Sequence, residues 1–115
     1  VVRSRGLGDV YKRQIHSLLG EWEACDGRVV SFTRQGDQYV GHYLELGDLE
    51  RYGFSVKDEG YRYTRDAETG VYKGEVHWRF TDGRHEWREA EATVTGNRYT
   101  DNSSDPCSST MTRRD

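Results

Sequence analysis

The chain has 115 residues, a net charge of −3, 32% charged side chains and 12% aromatic ones. That is enough chain for one domain with a single core, and an acidic balance with arginines scattered singly excludes the clustered positive face that sequence-independent nucleic-acid binding requires. No apolar run approaches the roughly 20 residues a membrane-spanning helix needs.

The first segment reads as foreign. Asp9-Val10-Tyr11-Lys12-Arg13-Gln14 is the literal translation of GATGTGTATAAGAGACAG, the end of a transposon adaptor used in sequencing libraries, and no Met precedes it. Residues 1–14 are therefore expected to be a non-native, disordered segment that packs against nothing specific. Residues 15–115 are expected to form one β-barrel domain that has lost whatever leader or anchor preceded it. Without the four basic residues and one acid of residues 1–14, the remainder carries 17 − 4 = 13 basic and 20 − 1 = 19 acidic residues, a net of −6.

One Met and few Leu or Ile residues leave Tyr, Trp, Phe and Val to build the core, which suits pleated sheet. Glycines and turn residues divide the rest into candidate strands at 18–25, 28–34, 38–46, 52–57, 61–66, 71–80, 84–94, 98–101 and 107–113. Asp26-Gly27 and Asp82-Gly83 supply the positive φ of two-residue hairpin turns. In the run at 71–80, Tyr72, Gly74, Val76, Trp78 and Phe80 share one face and Lys73, Glu75, His77 and Arg79 the other, the pattern of a half-buried strand. In its hairpin partner Trp87 is odd while Ala90, Ala92 and Val94 are even, so a β-bulge near Arg88-Glu89 is expected. No helical period longer than a turn is present. The prediction is an all-β, antiparallel up-and-down meander of eight to nine short strands, closed into a barrel so that no edge is exposed.

Leu19-Gly20-Glu21-Trp22 opens the first strand with Gly-Xaa-Trp, and Arg113 lies in the last strand. This resembles the calycin superfamily of lipocalin-like barrels. The resemblance implies that Trp22 closes the barrel floor, that Arg113 packs over it, and that the mouth is at the opposite end. Tyr39-Val40-Gly41, Tyr72-Lys73-Gly74-Glu75 and Thr110-Met111-Thr112-Arg113 are also similar to small bacterial exported domains. In such a barrel the first and last strands are antiparallel neighbours, so Cys25 and Cys107, the two cysteines, can meet. A disulfide implies an oxidising compartment, periplasmic or secreted; two separate thiols are the alternative.

Catalytic signatures are absent from the sequence: there is no GxSxG elbow, P-loop or dinucleotide fingerprint, and His16, His42, His77 and His85 show no metal-ligand spacing. His77 lies on the polar face of its strand and His85 falls near it across the Asp82-Gly83 turn, so the pair reads as solvated strand histidines, with a two-His surface site as the alternative. The loop Asp101-Asn102-Ser103-Ser104-Asp105 lacks the fixed Gly and terminal Glu of a calcium-binding EF-hand. No cofactor is expected. The aromatics are the one unusual concentration, and Trp22, Phe32, Tyr43, Tyr63, Tyr72, Trp78 and Trp87 are the candidate lining of a pocket for a small apolar or amphipathic ligand, or else a filled aromatic core. The expected function is a non-enzymatic exported domain; the alternatives are a small hydrolase or isomerase at the barrel mouth, or a protein-interaction module of the cell envelope.

Overall fold

In the computed structural model, which describes residues 17–114, the chain is an eight-stranded, closed, antiparallel up-and-down barrel. The strands are β1 (Gly20–Glu23), β2 (Val29–Gln35), β3 (Gln38–Glu45), β4 (Glu59–Arg65), β5 (Tyr72–Arg79), β6 (His85–Thr95), β7 (Arg98–Asp101) and β8 (Thr110–Arg114). Each pairs with its sequence neighbours, and β1 pairs with β8 to close the cylinder. Closure satisfies every strand on both sides and leaves no free edge among the described strands. The expectation for residues 1–14 lies outside the described residues.

Alternation puts the aromatics inside. Trp22, Phe32, Tyr43, Tyr61, Tyr63, Tyr72 and Tyr99 are each at most 2% exposed, and their rings fill the barrel interior. Phe32 packs against Tyr61, Tyr63 and Tyr99 with ring centroids 5.4, 6.2 and 6.3 Å away. At the floor, the Arg113 guanidinium lies 4.3 Å over the Trp22 ring and donates to the carbonyls of Leu19 and Ser17, both at 2.7 Å. Trp22 Nε1 donates to the Leu18 carbonyl at 2.9 Å. A cation over an indole face, with both partners hydrogen-bonded, pins the two chain ends together.

Three expectations need correction. The β5–β6 ladder runs in unbroken register from Tyr72↔Ala92 to Arg79↔His85, so there is no bulge at Arg88-Glu89. Trp87 is instead an outer-face residue, and only the even positions Ala90, Ala92 and Val94 turn inward. The register shifts fall elsewhere, at Val29/Val30 against β3 and at Gly41/His42 against β4, where Leu44 and Gly60 are the extra residues. Gly60 is required here because a side chain would run into the Tyr43 ring.

Residues 52–57 form no strand. Tyr52 ends a short 3-10 turn, Leu49–Tyr52, and Gly53 and Lys57 take positive φ angles of 90° and 78°. Asp58 Oδ2 accepts from the Ser55 amide at 2.8 Å, which diverts the backbone groups a ladder would use. Both Asp-Gly turns, finally, have three residues rather than two. Ala24 and Arg28 close one and Phe80 and Arg84 the other, with Gly27 and Gly83 at φ 91° and 92°.

Candidate functional site

Two turns of the same chemistry sit at the end of the barrel opposite Trp22. In each, an Asp-Gly-Arg run folds the Asp side chain back onto the Arg amide and guanidinium: Asp26 onto Arg28, with the amide at 3.1 Å and Nε at 2.9 Å, and Asp82 onto Arg84, at 3.0 and 2.7 Å. The Asp82–Arg84 pair is exposed, whereas Arg28 is only 7% exposed. The β7–β8 connection, tied to this turn by the Cys25–Cys107 disulfide with Cα atoms 5.4 Å apart, lies beside Arg28, and Gly47 of the β3–β4 connection packs on the turn's backbone. The β7–β8 connection also delivers Asp105, whose Oδ2 lies 3.4 Å from Arg28 Nη2.

A cavity of about 440 Å³ opens above this cluster. Its polar lining includes Asp26, Arg28, Asp105 and Ser108 at the base and Asp48, Arg51, His77 and Arg79 around the rim; Leu49, Tyr52 and Phe54 from the β3–β4 connection, with Tyr43, Val76, Trp78 and Phe80, supply its apolar lining. Phe54 is held edge-on to Tyr43 at 5.2 Å, and the Arg79 guanidinium sits 4.8 Å over it. Arg79 in turn donates to the Gly53 carbonyl at 2.7 Å and faces Asp58 at 3.6 Å, which fastens the loop to β5.

The electrostatics follow from burial and pairing. Burial works against the Arg28 charge, but the Asp26 carboxylate hydrogen-bonded to it more than offsets this and raises its pKa. Burial likewise raises the Asp105 carboxyl, yet the amides of Cys107 and Ser108, at 2.8 and 3.2 Å from Oδ1, and the Arg28 charge outweigh it and hold Asp105 below its ordinary value. Asp105 is thus an ionised acceptor at neutral pH rather than a proton donor. Burial pushes the Tyr43, Tyr61, Tyr63 and Tyr99 hydroxyls up, so all four stay neutral. Below the cavity the Tyr63 and Tyr99 hydroxyls are hydrogen-bonded at 2.8 Å, and Tyr99 donates to Asp101 at 2.6 Å. The Tyr61 hydroxyl and the cavity-lining Ser103 Oγ are buried without a hydrogen-bond partner among the described residues.

Of the seven aromatics singled out in the sequence, Tyr43 and Trp78 line this cavity. Trp22 is at the floor; Tyr72, toward the same end, accepts from the Leu18 amide at 3.1 Å, while Phe32 and Tyr63 fill the middle. Trp87 lies on the outer wall, stacked on His77 at 4.6 Å with the Arg62 guanidinium 3.9 Å over its ring. Of the polar residues of the mouth, Arg28 was not singled out in the sequence, and Ser103 and Asp105 entered only as part of a loop without the calcium pattern. The available signal was the repeated Asp-Gly-Arg, with one copy beside a cysteine. Comparison with known proteins gives no matching family model, no matching curated protein and no matching solved structure, so the reading of the mouth rests on its own geometry.

Proposed function

We propose that this is a calycin-like, non-enzymatic exported domain that takes up a small amphipathic ligand at the barrel mouth. The observation that carries the reading is the buried Arg28 at the base of an aromatic-walled cavity. A buried ion pair seldom adds net stability over a well-packed apolar replacement. The Asp82–Arg84 turn shows, moreover, that the same local pairing forms in full exposure to solvent. Burial of the Arg28 copy is therefore better accounted for by what it faces than by the turn it belongs to. Tyr43, Phe54, Trp78 and Phe80 offer ring faces to an apolar body, and Arg28, Ser103 and Ser108 offer polar contacts to its head. The volume falls within the range of about 300–1,000 Å³ usual for small-molecule sites.

Export is supported by the Cys25–Cys107 disulfide, a bond that persists in oxidising compartments. No helix among the described residues is long and apolar enough to cross a membrane.

The test uses 1-anilinonaphthalene-8-sulfonate, an aromatic anion with an apolar body and a charged head, added to the folded 115-residue chain. Saturable binding is expected, weakened at least tenfold by Trp78→Ala and changed less than twofold by Trp87→Ala. No saturable binding, or equal losses in the two variants, would refute a mouth site.

A further inference from the structure

On the outer wall, where His77 reaches the rim of the mouth cavity, two imidazoles converge. His77 on β5 and His85 on β6 are diagonal neighbours across the hairpin, since His77 pairs with Trp87 and His85 with Arg79. Their rings stand at 84° to one another, and His77 Nε2 lies 3.2 Å from His85 Nδ1. Two imidazole nitrogens bound to one ion at about 2.0–2.1 Å each, with an angle between 90° and the tetrahedral value, are about 2.9–3.4 Å apart. The observed separation falls inside that interval.

Packing fixes one of the two rings. The His77 ring is stacked on Trp87 at 4.6 Å with an interplanar angle of 8°, and Phe54 meets it edge-on at 5.6 Å. A ligand whose ring orientation is locked by its neighbours loses little freedom on binding. His85 is exposed, so one side of the pair is open to water and to an incoming ion. The nearby cations are already engaged: Arg62 pairs with Glu59 at 3.1 Å, and Arg79 with Asp58 at 3.6 Å. Imidazole suits copper, nickel and zinc, with Cu²⁺ highest in the divalent affinity order.

We propose that His77 and His85 form a two-imidazole surface site for a divalent late transition-metal ion, Cu²⁺, Ni²⁺ or Zn²⁺, with water completing the coordination. No group of three or more His, Cys, Asp or Glu side chains suited to a metal occurs among the described residues, so the site has two protein ligands. The ion replaces the proton that the two rings would otherwise share in a hydrogen bond.

The test titrates Cu²⁺ into the full chain at neutral pH, following tryptophan fluorescence and the electron paramagnetic resonance spectrum of the bound ion. The expected result is one saturable ion per chain with two-nitrogen hyperfine structure. Quenching should include Trp87, because its ring is stacked on a ligand. His85→Asn, at an exposed position, is expected to weaken binding at least tenfold while leaving the circular dichroism spectrum unchanged. His77→Asn should do the same, and His16→Asn and His42→Asn should leave affinity within twofold. Absence of saturable binding would overturn the proposal, as would affinity unaffected by His85→Asn or lost instead in His16→Asn or His42→Asn.

Discussion

Replacing both Cys25 and Cys107 by Ser is expected to lower the unfolding free energy by about 4–5 kcal/mol, read as a shift of the denaturant midpoint at constant slope. The bond spans 82 residues, so the chain-entropy model assigns the reduced, unfolded chain a large gain in freedom. The native state depends on it as well. β1 and β8 meet over three residue pairs, from Glu21↔Arg114 to Glu23↔Thr112, which is a short seam on which to close a barrel. The disulfide lies just beyond that seam, joining the β1–β2 turn to the β7–β8 connection. Because typical domains are stable by only about 5–15 kcal/mol, this loss leaves a marginal protein. A midpoint shift worth less than about 1 kcal/mol would mean that the seam and floor close the barrel unaided.

The second large effect is at the floor. Trp22→Ala is expected to cost about 3–5 kcal/mol, the range for removing a fully buried large aromatic. Trp22 is 0% exposed, packs 6.1 Å from Tyr99, donates to Leu18 and carries Arg113 over its face. Truncation removes the ring and strands the Arg113 guanidinium over a void, which the surrounding aromatic rings are too stiff to refill. Trp87→Ala is the internal control. Its ring is half-buried on the outer wall, so the loss should be well below half that of Trp22→Ala in the same denaturant assay.

Much of this architecture was legible because the pleat repeats every two residues. Tyr72 and Val76 against Lys73 and Glu75 announce the face of β5 directly, and Gly20-Glu21-Trp22 with Arg113 announces the floor. Trp87 misled for a physical reason. A large aromatic at the wrong parity suggests a bulge, but a strand's own sequence does not reveal that His77 from the neighbouring β5 and Arg62 from β4 pack on the ring outside the barrel. Residues 52–57 misled because Tyr52, Phe54 and Val56 alternate like a strand. The competing bond from Asp58 to the Ser55 amide, and the left-handed Gly53 and Lys57, belong to turn chemistry that such alternation hides. The mouth was the least legible part. Arg28 and Arg84 follow identical Asp-Gly pairs, and what distinguishes them is a loop 77 residues away in sequence that places Asp105 beside Arg28. Burial set by so distant a contact leaves no local pattern to read.

In a filled barrel with a cavity confined to one end, the three tryptophans occupy three places: Trp22 at the floor, Trp78 in the mouth and Trp87 on the outer wall. Their indole N–H signals therefore report separately in a ¹⁵N–¹H correlation spectrum of the full chain. Titration with 1-anilinonaphthalene-8-sulfonate is expected to move the Trp78 indole and the amides of Arg28, Phe54 and Asp105, while the Trp22 and Trp87 indoles stay in place. Movement centred on Trp22 or Trp87, or no saturable movement at Trp78, would rule out a binding site at the mouth.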